Sequence, residues 1–297
     1  MFALRSDGTY AWELGELVFA IDPAQGGRIT EVSLGGNNAL TGSTHPNING
    51  STFWPSPQVW PWPPPAALDT DPYAAAIEGD AVVLTSGVEA LADAEQVSGS
   101  IRIVKRFRPL VEVAAVEVRY SIENVGSTSL RWAPWEISRV PARGVTFFPT
   151  GRSEGPKLEL AVHQQAGITW YQNDPQVISL EDGQKYVADG AEGWLAHVAG
   201  ALLLLKQFED IPPGDAAPGE GEIELYASHS SRGPYVEIEQ QGPYRSIAPG
   251  SRLDWTVRWA LRKIPASIDR RLGSTGLVEL ARTVAAQLAA ATPVSPR

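Results

Sequence analysis

An apolar–polar alternation with a period of two constrains this chain more than any other feature. Val111-Glu-Val-Ala-Ala-Val-Glu-Val-Arg-Tyr-Ser-Ile-Glu123 alternates over much of its length, and Asn124-Val-Gly126 follows it as a turn. Ile101-Arg-Ile-Val-Lys-Arg-Phe107 does the same just before it. Successive side chains of a strand point to opposite faces, so such a run buries one face and wets the other. Two runs joined across Arg108-Pro109-Leu110 predict an antiparallel hairpin. Similar patterns predict strands at 10–21, 27–34, 81–86, 129–138, 145–149, 194–199, 222–228, 234–240 and 253–263. The run 201–208, Ala-Leu-Leu-Leu-Leu-Lys-Gln-Phe, is too short for a helix and fits a strand covered on both faces. Many strands with Gly- and Pro-bearing turns and little helix give an all-β sandwich or barrel.

Two segments depart from this pattern. Residues 44–73 are dense in proline and tryptophan and show no period, and 209–221 reads as a polar Pro/Gly loop. One helix is expected at about 274–291, where Leu277, Leu280, Ala281, Val284 and Leu288 fall on one face. Ser274 or Thr275 can cap its start and Pro293 can stop it. No linker-like gap, internal repeat or low-complexity tract interrupts the strands. The expectation is one domain over residues 1–297, a large sandwich with the helix packed on it.

Composition closes off several functions. The chain of 297 residues has 34 acidic and 24 basic side chains, a formal charge of −10, which argues against nucleic-acid binding. Without cysteine there are no disulfides, no thiolate catalysis and no zinc ribbon. No stretch approaches the ~18 uninterrupted apolar residues of a membrane span. The N-terminus shows no basic region followed by an apolar one, so no signal peptide is visible. The compartment, cytoplasm or, after removal of a leader, periplasm, stays open.

Several familiar catalytic fingerprints are missing: no Gly-Lys-Ser/Thr phosphate loop, no His-Glu-x-x-His and no Gly-x-Gly-x-x-Gly. His45, His163, His197 and His229 are far apart and form no local metal pattern. Asp69, Asp71, Glu78 and Asp80 mimic a calcium loop, but Tyr73 and Ala74 stand where such a loop needs a ligand and a glycine. Asn49-Gly50-Ser51 matches a glycosylation sequon and reads as a chance match. No metal and no cofactor are expected.

Aromatic residues carry more information. Trp54, Trp60 and Trp62 are interleaved with prolines, and Trp132 and Trp135 recur on a later strand. Indole faces stack on the C–H faces of sugar rings, and prolines pre-organise the loop that carries them, which lowers the ordering cost of binding. The competing reading is that these rings anchor a long loop on the core. Gln58, between two of them, is a candidate hydroxyl-binding amide. Glu237 and Glu239 share one face of a strand, opposite Val236 and Ile238. On a semi-buried face, repulsion and desolvation would raise one carboxyl toward the range of a general base. Glu136 and Lys206 are likewise polar residues in apolar strand contexts.

Together these segments resemble the galactose mutarotase-like superfamily, the aldose 1-epimerase and hexose-phosphate mutarotase group, and within it a bacterial subgroup of unassigned function. Three blocks carry the resemblance. Gly50-Ser-Thr-Phe-Trp-Pro55 looks like the family's Gly-Gly-Ile-Pro-x-x-Trp-Pro block near the sugar. Ile122-Glu-Asn-Val-Gly126 with Leu130-Arg-Trp-Ala-Pro-Trp-Glu-Ile-Ser138 looks like the turn and strand that deliver an acid histidine. Tyr235-Val-Glu-Ile-Glu-Gln-Gln241, then Ile247-Ala-Pro-Gly250 and the strand Leu253–Leu261, looks like the strand of the catalytic glutamate.

The resemblance implies a β-supersandwich of the galactose mutarotase type with a carbohydrate cleft. In the family a glutamate takes the anomeric hydroxyl proton while a histidine protonates the ring oxygen, so the ring opens and recloses on the other face. The base maps to Glu239. The acid histidine has no match, since Trp135-Glu136 stands in its place, and Glu136 or His229 would have to act as acid. Asn49 replaces the arginine before the Gly-Gly block, which makes a sugar phosphate a poorer fit. The implied cleft is lined by Trp54, Gln58, Trp60, Trp62, Trp135, Glu136, Lys206 and Glu239, and takes a mono- or oligosaccharide. Two other readings are a non-catalytic sugar-binding protein and a lyase or hydrolase using Lys206 with Tyr235 or Tyr244.

Overall fold

A computed structural model describes residues 1–41, 48–152, 160–173, 184–228 and 234–291. Its strands form two antiparallel sheets packed face to face, one of 11 strands and one of 10. The first sheet runs in the order Ala3–Leu4, Tyr10–Leu14, Leu17–Asp22, Arg28–Leu34, Ser51–Ser56, Leu130–Pro141, Tyr235–Gln241, Ile223–Ser228, Gln184–Ala188. The short strands Asn37–Asn38 and Arg245–Ile247 pair beside this path. Across the second sheet lie His163–Gln165, Ile168–Asn173, Gly144–Pro149, Trp194–Ala199, Leu202–Gln207, Arg252–Lys263, Ala115–Asn124, Ser98–Leu110, Ala81–Ala92 and Ala74–Glu78.

The all-β expectation holds, and so does the C-terminal helix, which spans Thr275–Ala290. Ser274 Oγ accepts the Leu277 N–H at 3.3 Å, satisfying one of the donors that a helix start leaves open. Leu277, Ala281, Val284 and Leu288 are buried against Phe147, Trp170, Leu203 and Leu205 on the outer face of the second sheet. Pro293 and His45 lie outside the described residues. The 201–208 expectation is met by Leu202–Gln207: Leu204 joins the core between the sheets, while Leu203 and Leu205 face the helix. A strand covered on both faces has no reason to alternate.

Several boundaries differ from the sequence reading. The run 10–21 is two strands, broken at Gly15, whose positive φ of 59° makes the turn. The hairpin turns later than expected. Ser98–Leu110 continues past the proline because Arg108 and Glu117 form a cross-strand ion pair, and the chain reverses in a 3-10 turn at Val111–Val113. The aperiodic segment 44–73 contains a central strand, Ser51–Ser56, all six residues of which are buried. Neighbours on both edges and layers on both faces erase its alternation. Gln184–Ala188, which 178–188 gave no pattern to suggest, is a short strand at the end of the first sheet.

Candidate functional site: an aromatic and acidic cleft

Four neighbouring strands of the first sheet, Ser51–Ser56, Leu130–Pro141, Tyr235–Gln241 and Ile223–Ser228, place alternate residues on the face turned away from the second sheet. Strand pairing sets Trp54 opposite Trp135, and Glu239 opposite Ile137 on one side and Glu224 on the other. One step along, Arg139, Glu237, Tyr226 and Lys185 form a continuous row across the strands. This face floors a cavity of about 460 Å³, whose walls include Ile48, Trp54, Gln58, Trp62, Trp135, Lys185, Tyr226, Tyr235, Glu237 and Glu239.

Buried polar contacts fix the aromatic wall. Trp54 and Trp135 meet edge to face with centroids 5.4 Å apart, and Trp62 meets Trp54 in the same manner at 6.2 Å. Asp69 Oδ1 accepts the Trp54 indole N–H at 3.1 Å, the Thr52 hydroxyl at 3.0 Å and the Arg28 guanidinium at 2.8 Å. Arg28 also donates to the Asn49 carbonyl at 3.0 Å, tying the start of the Pro-rich segment to the sheet. Asp69 thus belongs to an internal network and not to a solvated acidic loop. Trp62, by contrast, is 55% exposed and presents its ring at the cavity mouth.

The acidic side of the cleft centres on Glu239. Its Oε2 accepts the Trp135 indole N–H at 2.8 Å and lies 4.0 Å from Lys185 Nζ. Desolvation pushes its carboxyl up to about 7; Lys185 opposes that shift and Glu237 adds to it. Lys185 is paired with Glu224, lies 3.8 Å from Glu220 Oε2, and sits 5.3 Å from the centroid of Trp135. Burial alone would lower the pKa of this lysine, yet the surrounding carboxylates Glu239, Glu224 and Glu220 raise it well above its ordinary value. Glu224 is held in turn by the Gly221 N–H at 3.0 Å and Gln241 Nε2 at 3.1 Å. Arg139 pairs with Glu237 at 2.9 Å and lies over Trp54 at 6.0 Å.

The structure brings together Trp54, Gln58, Trp62, Trp135 and Glu239 from the sequence reading. Glu136 and Lys206 are corrected. A strand that points Trp135 and Ile137 into the cleft must point Glu136 the other way, and Glu136 and Lys206 form an ion pair of 2.9 Å between the sheets, both fully buried. Tyr120, Gln240 and Trp259 donate the remaining hydrogen bonds to Glu136, so this carboxylate faces no ligand space. Trp60 is also corrected: it is 7% exposed, packs against Trp132 at 6.3 Å and serves as a core anchor. His229 lies outside the described residues. Tyr244 is 4% exposed, away from the cleft and beneath Arg131, so Lys206, Tyr235 and Tyr244 do not converge as the lyase reading requires.

Lys185, Glu224, Tyr226 and Arg139 escaped the sequence reading. The available signal was Glu224 within Ile223-Glu-Leu-Tyr-Ala-Ser228, a charge in an otherwise apolar strand that demands a partner. A groove of about 610 Å³ beside the end of the helix, lined by Leu110, Val111, Val113 and Ala290, is larger than the cleft. It lacks the cleft's convergence of aromatic rings with perturbed carboxyls, which marks the cleft as the functional candidate. Among the described residues no group of three or more His, Asp or Glu is arranged to hold a metal, and no helix is long and apolar enough to cross a membrane.

Residues 55–262, more than two thirds of the chain, match the family described as Domain of unknown function (DUF4380). The chain belongs to this family. Its fold is that of the galactose mutarotase-like proteins. A galactose mutarotase-like protein from Lactobacillus casei superimposes with a TM-score of 0.57 at 11% identity, over 86% of this chain and 100% of that one. A galactose mutarotase related enzyme from Lactobacillus acidophilus gives 0.57 at 8% identity, over 89% and 100%. Galactose 1-epimerase from Lactobacillus acidophilus gives 0.50 at 11% identity, over 89% and 98%. At such identities the likeness concerns the fold alone. Among curated proteins, rat amyloid-beta A4 precursor protein-binding family B member 3 is 30% identical over 103 residues. That match covers 33% of this chain and 18% of that protein, so the chain spans less than a fifth of that relative's length.

Proposed function

We propose that this DUF4380 chain binds an aldose in the cleft of the first sheet and interconverts its anomers, with Glu239 as the general base. The supporting observation is the position of Glu239: a buried carboxyl on the floor of an aromatic cavity, oriented by the Trp135 N–H and raised by desolvation to about 7. A base must be ionised to accept a proton yet basic enough to hold it, and a value near the working pH serves both needs. Trp62 offers an open ring for the C–H face of a sugar, and Gln58, Glu237 and Tyr235 supply hydroxyl partners. A cavity of about 460 Å³ stands at the small end of ligand pockets, which favours a monosaccharide or one terminal unit of a longer chain.

The test is saturation transfer between anomers by proton NMR across common aldoses, with wild type and Glu239→Gln compared. Acceleration by wild type that the variant loses supports the reading; no acceleration with any aldose removes it. A second reading, a sugar-binding protein without turnover, has its own support: Glu239 is already engaged by Trp135, and no histidine lines the cavity among the described residues. In that case Glu239→Gln leaves sugar affinity nearly intact and no anomer exchange is seen with either protein.

A further inference from the structure

Ring opening needs a proton donor as well as a base, and neither Glu136 nor any histidine among the described residues reaches the cleft. Resting on the mutarotase reading above, we propose that Lys185 is the catalytic acid, delivering its proton to the ring oxygen of the sugar, and that Glu224 positions it. Among the described residues Lys185 is the one lysine in the cavity lining, from a strand three places along the sheet from the one on which the resemblance expects a histidine. Its side chain is 29% exposed, so it is open to a ligand, whereas Lys206 is sealed.

The spacing suits the chemistry. Lys185 Nζ lies 4.0 Å from Glu239 Oε2, too far for a hydrogen bond between them and wide enough for a hydroxyl and a ring oxygen borne by one carbon to dock side by side. Glu224 and the face of Trp135 hold the ammonium from two other directions. Glu239 accepts the proton of the anomeric hydroxyl, and the O–H electron pair becomes the second bond of the carbonyl. The bond from the anomeric carbon to the ring oxygen breaks, and its electron pair takes a proton from the Lys185 ammonium. The products are an open aldehyde with a free hydroxyl, a neutral amine and a protonated carboxyl. After rotation about the adjacent carbon–carbon bond, the hydroxyl attacks the other face. Lys185 recovers its proton, and Glu239 returns its own to the new anomeric oxygen. Nothing is oxidised or reduced.

The carboxylates make this donor responsive. At rest Glu220, Glu224 and Glu239 keep Lys185 charged. Once Glu239 has taken the anomeric proton, one of the three is neutral, and the ammonium becomes a stronger acid at the moment the ring oxygen needs its proton. Among the described residues the other titratable groups facing the cavity are Glu237, Tyr226 and Tyr235; burial pushes the Tyr235 phenol up to about 12.

The experiment measures anomer exchange of D-galactose and D-glucose with wild type, Glu239→Gln, Lys185→Met, Lys185→Arg and Lys185→Ala. Binding of the methyl glycosides, which cannot open, is followed by calorimetry. Lys185→Met is expected to lower kcat by roughly 10²–10⁴-fold with little change in glycoside affinity. Lys185→Arg should stay as slow, because guanidinium keeps the charge but does not release its proton. Added methylammonium should restore part of the Lys185→Ala activity. If wild type is active and Glu239→Gln is not, but Lys185→Met stays within about threefold of wild type, the acid assignment falls and the mutarotase reading stands. Full activity in Lys185→Arg with loss in Lys185→Met also overturns it, since charge alone would then suffice. Absence of exchange with the wild type removes both.

Discussion

The two faces of the Leu130–Pro141 strand each meet a glutamate–lysine pair, and the pairs differ in what surrounds them. Between the sheets, Glu136 and Lys206 are fully buried, and Glu136 receives Tyr120, Gln240 and Trp259 in addition to the lysine. On the cleft face, Lys185 is partly exposed amid Glu220, Glu224 and Glu239, while Glu239 has the Trp135 N–H and a lysine 4.0 Å away. A saturated ion pair in the core holds two layers together and has no capacity left for a ligand. An unsaturated one, with more carboxylates than cations and open space above, can accept and release protons.

The largest effect should come from breaking the sealed pair. Lys206→Met strands an ionised carboxylate in the core, and chemical denaturation is expected to show a loss of about 3–5 kcal/mol in unfolding free energy. Lys185→Met, in the open pair, should cost less than that, because proton uptake by Glu224 and Glu239 can relieve the carboxylates it leaves behind. Equal losses would erase the distinction between the faces. Replacing both partners, Glu136→Leu with Lys206→Met, should recover only part of that stability, because the two charges disappear together but Tyr120, Gln240 and Trp259 lose their buried acceptor.

Titration should sharpen the comparison next. If Glu239 is the base, kcat/KM should climb about tenfold per pH unit below 7 and level off above it. Stability runs the other way. The folded Glu239 carboxyl titrates near 7, above the ordinary value of 4.5, so between these the folded state holds more protons than the unfolded one. The associated stability is complete below about 4.5 and is lost as pH rises through 7. Glu239→Gln should therefore be more stable than wild type at pH 8, by ~1–3 kcal/mol in urea melts, and a less stable variant would contradict the burial argument.

The smallest effect belongs to the mouth of the cleft. Trp62→Ala should weaken sugar binding by about 1 kcal/mol in calorimetry while changing stability by no more than ~0.5 kcal/mol. A stability loss without an affinity loss would make Trp62 a packing residue like Trp60.

The sandwich was legible in the sequence, because alternation reports directly on half-buried strands, and so was the shared face of Glu237 and Glu239, which the alternation of Tyr235-Val-Glu-Ile-Glu imposes. Face assignment was legible only within a strand: Trp135 and Glu136 had to diverge, but nothing local said which of them met solvent and which met the second sheet. Ser51–Ser56 was hidden for a related reason, since burial on both sides leaves no period to read.

By itself, then, the sequence determined the all-β class, the capped C-terminal helix, the tryptophan-rich segment and the pairing of two glutamates on one face. These follow from periods and turn residues acting over a few positions. Tertiary structure decided that Lys206 and Glu136 seal the core, that Trp60 is an anchor, and that Lys185 reaches Glu224 and Glu239. Those contacts join positions about 40 to 70 residues apart in the chain, and only strand order and register bring them face to face.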